Sequence, residues 1–301
     1  MEIKECPIGD LGSVSFFSKR DGHVFLTCDT CHLVFMSPLP DAKELIGNFY
    51  SEESGYHSVV ARDVKEIKKY SKKFTKVIDG LIRFNIRGNL LDVGCANGEF
   101  LSLAKKHGFN VQGIEVNDHT ATIAASNGLP VFRGTLEEAR FENNSFSAIY
   151  LGDVIEHVTD PVALLKECKR ILKKEGVIVI STPNMDCFWV LATRYICRWL
   201  KFPWSVLLPP YHLYLFSQAN MKTLLRTFNF EVLEIEYAHF PLRHELGGTG
   251  LLKKYRSEKS LAALLYMMLV FGMYVIVYVA NFLLAPFLKK NFEMIVFAEN
   301  Q

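Results

Sequence analysis

The sequence predicts an α/β fold, a doubly wound sheet, and three observations carry that expectation. Leu90-Leu91-Asp92-Val93 is an apolar strand pattern that enters a glycine-framed turn, Gly94-Cys95-Ala96-Asn97-Gly98, and leaves it as a helical pattern with Leu101, Leu103 and Ala104. A second strand pattern, Val111-Gln112-Gly113-Ile114-Glu115-Val116, follows and ends on a carboxylate. At 301 residues the chain has room for one large domain with appendages.

The N-terminal residues 1–48 read as a degenerate zinc-ribbon-like segment. Cys28-Asp29-Thr30-Cys31 is a C-x-x-C knuckle and Cys6-Pro7 begins a similar turn, but Gly9 stands where a second cysteine would complete it. Cys6, Cys28 and Cys31 are thus one ligand short of a tetrahedral zinc site, which His23 or His32 could complete. The alternative is a ribbon without metal, held by Phe16, Phe17, Phe25, Val34 and Phe35. Residues 49–88 read as a linker and first helix. Within the helix, lysines from Lys65 to Lys76 alternate with Ile67, Tyr70, Phe74 and Val77, the pattern of a solvated face above an apolar stripe. A net charge of +2 argues against general nucleic-acid binding.

Residues 89–301 form the expected main domain. Gly94 and Gly98 sit where positive φ and close backbone approach serve a nucleotide cofactor. Their G-x-x-x-G spacing departs from the G-x-G-x-x-G dinucleotide fingerprint, which leaves an NAD-dependent oxidoreductase as the weaker reading. Glu115 could accept both hydroxyls of a ribose. Together, Asp92-x-Gly94-x-x-x-Gly98 and Glu115 resemble the class I S-adenosylmethionine (SAM)-dependent methyltransferases. Phe146 to Leu151 with Gly152-Asp153-Val154-Ile155-Glu156-His157 resembles that superfamily's fourth strand and following loop, and Leu165 to Asn184 its next helix, turn and fifth strand. His212-Leu213-Tyr214-Leu215-Phe216-Ser217 and Phe228 to Val232 resemble the branch that includes the ubiquinone-pathway O-methyltransferases.

The resemblance implies a Rossmann-like sheet of seven strands with the last one antiparallel, and SAM as the cofactor. Asp92, Gly94, Cys95, Asn97 and Gly98 would surround its methionine part, Glu115 and Val116 its ribose, and Gly134, Thr135 and Leu136 its adenine. Leu151 or Gly152 would pass beneath the sulfonium, and an aromatic residue, Tyr50 or Tyr56, would close over the cofactor. His157 is the candidate general base, since a near-neutral imidazole suits deprotonation of an acceptor hydroxyl, and His212 is the second candidate on the acceptor side. Asp153, Glu156 and His157 could instead grip a divalent cation, or Glu156 and His157 could merely anchor the loop.

Two apolar insertions interrupt the main domain, at residues 186–210 and 257–290. Leu261 to Leu288 holds no charged residue across 28 positions, roughly 42 Å as one helix against a hydrocarbon thickness of about 30 Å. The flanking strands must share one side of a membrane, so the expected form is a bent or hairpin dip into one leaflet, broken at Gly272, Asn281 or Pro286. Lys253, Lys254, Arg256, Lys259, Lys289 and Lys290 bracket it with the basic charge favoured on a cytoplasmic face. In Phe188 to Lys201, Arg194, Arg198 and Lys201 form a basic stripe beside Trp189, Ala192, Ile196 and Trp199, and Trp204, Leu207 and Leu208 extend this interfacial pattern. A lid or a dimer surface is the other reading of both stretches. Seven scattered cysteines without an N-terminal signal pattern point to a reducing compartment. The expectation is therefore a cytoplasmic enzyme at a membrane surface, taking a hydrophobic or lipid-linked acceptor. The competing expectation is a non-catalytic scaffold.

Overall fold

The computed structural model describes residues 5–9, 12–49, 64–199, 204, 206–238, 260–288 and 291–301. The chain starts with a small antiparallel meander, β1 (Val14–Arg20), β2 (His23–Cys28) and β3 (Val34–Ser37). A helix, α1 (Val64–Arg83), leads into an alternation of strands and helices. These are β4 (Asn89–Val93), α2 (Glu99–Lys106), β5 (Asn110–Glu115), α3 (Asp118–Ser126), β6 (Val131–Arg133), β7 (Phe146–Gly152), α4 (Pro161–Ile171) and β8 (Leu172–Pro183). There follow α5 (Phe188–Trp199), β9 (Tyr214–Leu215), α6 (Gln218–Thr227), β10 (Phe230–Ala238), α7 (Leu261–Leu288) and β11 (Glu293–Asn300).

Seven strands make the main sheet in the order β10-β11-β8-β7-β4-β5-β6. β4 to β8 run parallel, and β11 runs antiparallel between β8 and β10, as expected for a Rossmann-like methyltransferase sheet. Val177, Ile178, Val179 and Ile180 of β8 are all fully buried, the near-continuous apolar run of a strand covered on both faces. Because side chains alternate, Ile178 and Ile180 join one core cluster while Val177 and Val179 join the other. Each such burial stabilises the fold by about 1.5–3 kcal/mol.

The meander extends into a four-stranded sheet because β9, from the middle of the chain, pairs with β3. Tyr214 and Leu215 stand opposite Phe35 and Val34. The meander is also clasped to the 186–210 insertion. Arg20 donates to the carbonyls of Trp204 and Leu207, and the Arg194 guanidinium lies 4.2 Å from the centre of the Phe17 ring. Trp204 and Leu207 are buried, with the Trp204 indole N–H donating to the Thr193 hydroxyl at 3.0 Å, so they belong to the core and not to an interfacial face.

The apolar segment departs from expectation. α7 is one continuous helix through positions 272, 281 and 286, without a hairpin. A glycine inside a helix costs about 1 kcal/mol relative to alanine without breaking it, and position 286 lies in the last turn. Asn281 is a clamp: its Oδ1 accepts the Trp189 backbone N–H at 3.1 Å, and its amide donates to Asn291 Oδ1 at 3.3 Å. Ala263, Val270, Tyr274, Val277 and Asn281 form the buried stripe of α7, at spacings of three, four and seven residues. The stripe packs on α5, where the Trp189 ring meets Tyr274 edge-on at 5.3 Å and the Cys197 thiol lies 3.2 Å from the Tyr274 hydroxyl. Most of the remaining surface of α7 is exposed, including Leu265, Leu269, Phe271, Ile276, Phe282 and Phe287. The basic residues at positions 253–259, 289, 290 and 201 lie outside the described residues.

Candidate active site

The carboxyl end of β4 opens into a small cleft, about 50 Å³ in volume, lined by Lys73, Phe74, Asp92, Gly94, Cys95, Ala96, Asn97, Glu99, Phe100, Tyr150, Gly152 and Asp153. It lies at the ends of parallel strands where open α/β sheets bind ligands. The loop is shaped by positive φ at Gly94 (74°), Ala96 (47°) and Gly98 (77°). The Gly94 and Cys95 N–H groups both donate to the Ile114 carbonyl, tying the loop to β5. A Cβ on Gly98 would sit 2.3 Å from Leu129 Cδ1, and one on Gly94 would sit 2.8 Å from Val154 Cγ2. No side chain caps the N-terminus of α2, which leaves its first-turn N–H groups beside the cleft.

Asp92 is 3% exposed, and among the described residues no hydrogen bond reaches its carboxylate. Burial, then the neighbouring negative charge of Glu115, push its pKa well above the usual carboxylate range, while Lys73 opposes them. Asn97 Oδ1 is likewise buried without a partner. Glu115 accepts the backbone N–H groups of Ala96 at 2.8 Å and Asn117 at 2.9 Å, so the second strand's carboxylate is already oriented toward the loop. Burial raises the Cys95 thiol above its ordinary value, consistent with a packing residue and not a nucleophile.

Lys73 is the exception to the reading of α1 as a solvated lysine face, which the exposed Lys72 and Lys76 keep. It is 3% exposed, donates to both Asp153 carboxylate oxygens at 2.9 and 2.8 Å, and pairs with Glu293 at the start of β11. Burial lowers its pKa, but the two carboxylates win and hold it well above normal. The signal was in the spacing: Lys73, Val77 and Leu81 stand four residues apart, and the latter two are fully buried, so this lysine falls on the apolar stripe. Phe74 beside it packs 5.4 Å from Phe100 and 6.4 Å from Tyr150, an aromatic wall of the cleft.

Other expected cofactor residues separate by depth. Leu151 is fully buried, and Gly152 is the one of that pair lining the cleft. Leu136 is buried in the core. Val116 and Thr135 are half-buried, and the Thr135 N–H donates to Glu138. Tyr50 and Tyr56 lie outside the described residues.

The acceptor-side cluster is also regrouped. Asp153, at φ 57°, is taken by Lys73, and His212 joins Glu156 and His157 in its place. One ligand atom from each of these three lies within 4.8 Å of the others, and the two imidazole centroids are 5.0 Å apart. Both Glu156 oxygens are buried without a hydrogen-bond partner; burial and then the Asp153 charge raise its pKa. His157 Nδ1 lies 2.8 Å from the Tyr211 carbonyl. A carbonyl only accepts, so Nδ1 carries the proton and Nε2 is left with its lone pair. Burial lowers the His157 pKa, and burial with the neighbouring His157 takes His212 down to about 3. The Glu156 carbonyl accepts the N–H groups of Leu213 and Tyr214, fixing the loop that carries His212. Among the described residues neither His23 nor His32 joins Cys6, Cys28 and Cys31, which cluster by themselves.

A family described as a methyltransferase domain matches residues 61–235. Curated relatives named ubiquinone biosynthesis O-methyltransferase include that of Cereibacter sphaeroides, 30% identical over 138 residues, 42% of this chain and 56% of the relative. That of Pelagibacter ubique is 28% identical over 159 residues, 48% of this chain and 66% of the relative. The chain spans about half to two thirds of the length of these relatives. Among solved structures, geranyl diphosphate C-methyltransferase from Streptomyces coelicolor aligns with a TM-score of 0.48 at 14% identity, covering 87% of this chain and 89% of that one.

Proposed function

The chain belongs to the methyltransferase domain family, and from that premise we propose that it is a class I SAM-dependent methyltransferase acting on an oxygen of a hydrophobic or lipid-linked small molecule. The observation that carries the donor half is the cleft: Asp92, with no hydrogen bond among the described residues, and the orphaned Asn97 oxygen stand beside a loop that needs glycine at two of its positive-φ positions, 94 and 98. These groups fit a bound amino acid with its ammonium toward Asp92. Lys73 and the N-terminus of α2 would face its carboxylate, and Glu115 the ribose. SAM, when bound, supplies a methyl group already electrophilic on a sulfonium. The protein's task is then to align an oxygen and hold its proton. His157 Nε2, kept unprotonated by the Nδ1 bond to Tyr211, would accept that proton.

A second reading of the same cluster follows from Glu156. Two unpartnered buried carboxylate oxygens beside two imidazoles would suit a divalent cation that lowers the acceptor's pKa. Chelator-resistant methyl transfer would reject it.

The lipid half of the proposal rests on α7 and α5. The span Leu261–Leu284 of α7 has mean hydropathy 2.2, with 22% of its most apolar 18 residues buried, and Tyr195 and Trp199 of α5 are exposed. β10 and β11, on either side of α7 in sequence, pair in one sheet, and residues 239–259 carry Arg243, Glu245, Lys253, Lys254, Arg256, Glu258 and Lys259. A second crossing by that stretch is too polar, so α7 would lie along a bilayer surface on the cytoplasmic face, apolar side down. Calorimetric titration of the full chain should give one SAM site and no NAD binding. Labelled methyl from SAM should then pass into the organic phase of a lipid extract. A folded protein silent toward SAM would refute the enzyme reading; SAM binding with label confined to water-soluble acceptors would refute only the lipid half.

A further inference from the structure

Far from the cleft, three thiols converge. Cys6, Cys28 and Cys31 form no disulfide, and their Sγ atoms lie within 4.8 Å of one another, with Cys6 and Cys31 3.6 Å apart. The backbone around them has the form of a metal knuckle. The Cys31 N–H points at Cys28 Sγ at 3.5 Å, the His32 N–H donates to the Cys28 carbonyl at 3.0 Å, and His32 itself sits at φ 59° to turn the chain away. The opposite turn closes from the Gly9 N–H to the Cys6 carbonyl, and the Cβ direction of Gly9 meets nothing within 4 Å. Among the described residues no fourth histidine, cysteine or carboxylate joins this triad.

We propose that Cys6, Cys28 and Cys31 bind one zinc ion through three thiolates, with the fourth position left to solvent or an added ligand. The thiol separations exceed an S–S bond of about 2.05 Å and involve three sulfurs, so no single disulfide satisfies the group. Three soft ligands in a small volume select zinc-class cations over magnesium or calcium. Cys6 and Cys28 sit in the core around Phe25 and Phe35, so the ion would knit the N-terminal turn to the β2–β3 connection. Binding displaces the thiol protons: each Cys–SH loses H⁺ to solvent as its S–Zn bond forms, and no redox change occurs.

The test uses the full chain, reduced and stripped with a chelator, then titrated with Co²⁺ as a spectroscopic substitute for zinc. Expected are saturation at one equivalent and the intense near-ultraviolet charge-transfer bands of thiolate ligation, with proton release and displacement by Zn²⁺. Cys28→Ser should abolish the bands. His212→Ala should leave them intact, since nitrogen and oxygen ligation at the acceptor cluster gives none. Calorimetry with SAM verifies that the Cys28→Ser chain is folded; should it not be, Cys31→Ser at the more exposed position provides the same comparison. Absence of charge-transfer bands in the reduced wild-type chain, or their survival in both serine variants, would overturn the site. Because SAM binding is read separately, failure of this proposal and failure of the methyltransferase reading are distinguishable.

Discussion

The donor side of the cleft and the acceptor side are built in different ways. The donor side is local: β4, its glycine loop, α2 and the end of β5 lie within 27 consecutive residues (115 − 89 + 1), and their backbone N–H groups already orient Glu115. The proposed acceptor side, whose residues are not among those lining that cleft, is assembled from Glu156 and His157 after β7, His212 after a long insertion, and a sheet contributed by the N-terminus. A donor common to many reactions can be held by one short strand-to-helix turn. A particular acceptor needs walls recruited from distant parts of the chain.

The largest expected effect breaks the donor side by its foundations. Lys73→Ala leaves Asp153 and Glu293 as uncompensated charges and should destabilise the fold by roughly 3–5 kcal/mol in chemical denaturation. A loss under about 1 kcal/mol would mean that the pair is solvated. Asp92→Asn should weaken SAM binding about 10- to 100-fold, the scale of a charge-assisted hydrogen bond, while leaving the melting temperature unchanged or raised, since the carboxylate has no hydrogen bond to lose. Equal loss of stability and affinity would count against its role as a ligand for the donor.

On the acceptor side, pH gives the sharper comparison. The folded-state pKa of His212 lies near 3 and its unfolded value near 6.5, so between these limits the unfolded chain binds more protons. Stability should therefore be fully present above about pH 6.5 and fall as pH drops toward 3, by at most about 1.4 kcal/mol per unit. His212→Leu should flatten that slope in denaturation curves. The smallest effect is a control at the other end of α1. Arg83 pairs with Glu234 and Glu236 at an exposed site, and Arg83→Ala should cost less than about 1 kcal/mol and vanish in high salt.

The same contrast decides what could be read from the sequence. The glycine loop, Asp92 and Glu115 were legible because strand, turn and helix follow one another and each step has its own residue signal. Lys73 was misread because lysine composition outweighed its position on the apolar stripe. Asp153 was grouped with Glu156 and His157 by proximity in sequence, yet its left-handed backbone accompanies a pairing with α1 and not with them. The apolar character of α7 is plain in its sequence, but Gly272, Asn281 and Pro286 carry the residue signals of breaks that the helix does not make. A continuous helix absorbs a glycine and a near-terminal proline, and Asn281 has partners in α5 and before β11. The pairing of β3 with β9 rests on two residues, too short a stretch for any periodicity to announce.

That tiny strand has a mechanical consequence. Two residues cannot persist as an isolated extended ladder, so Tyr214 and Leu215 owe part of their shape to Phe35 and Val34 opposite them, beside the Glu156 carbonyl that anchors the Tyr214 N–H. His212 lies two positions upstream. Trimming the first forty residues, by protease or by design, should therefore be felt as slack in the His212 imidazole, although none of the described side chains removed lines the cofactor cleft.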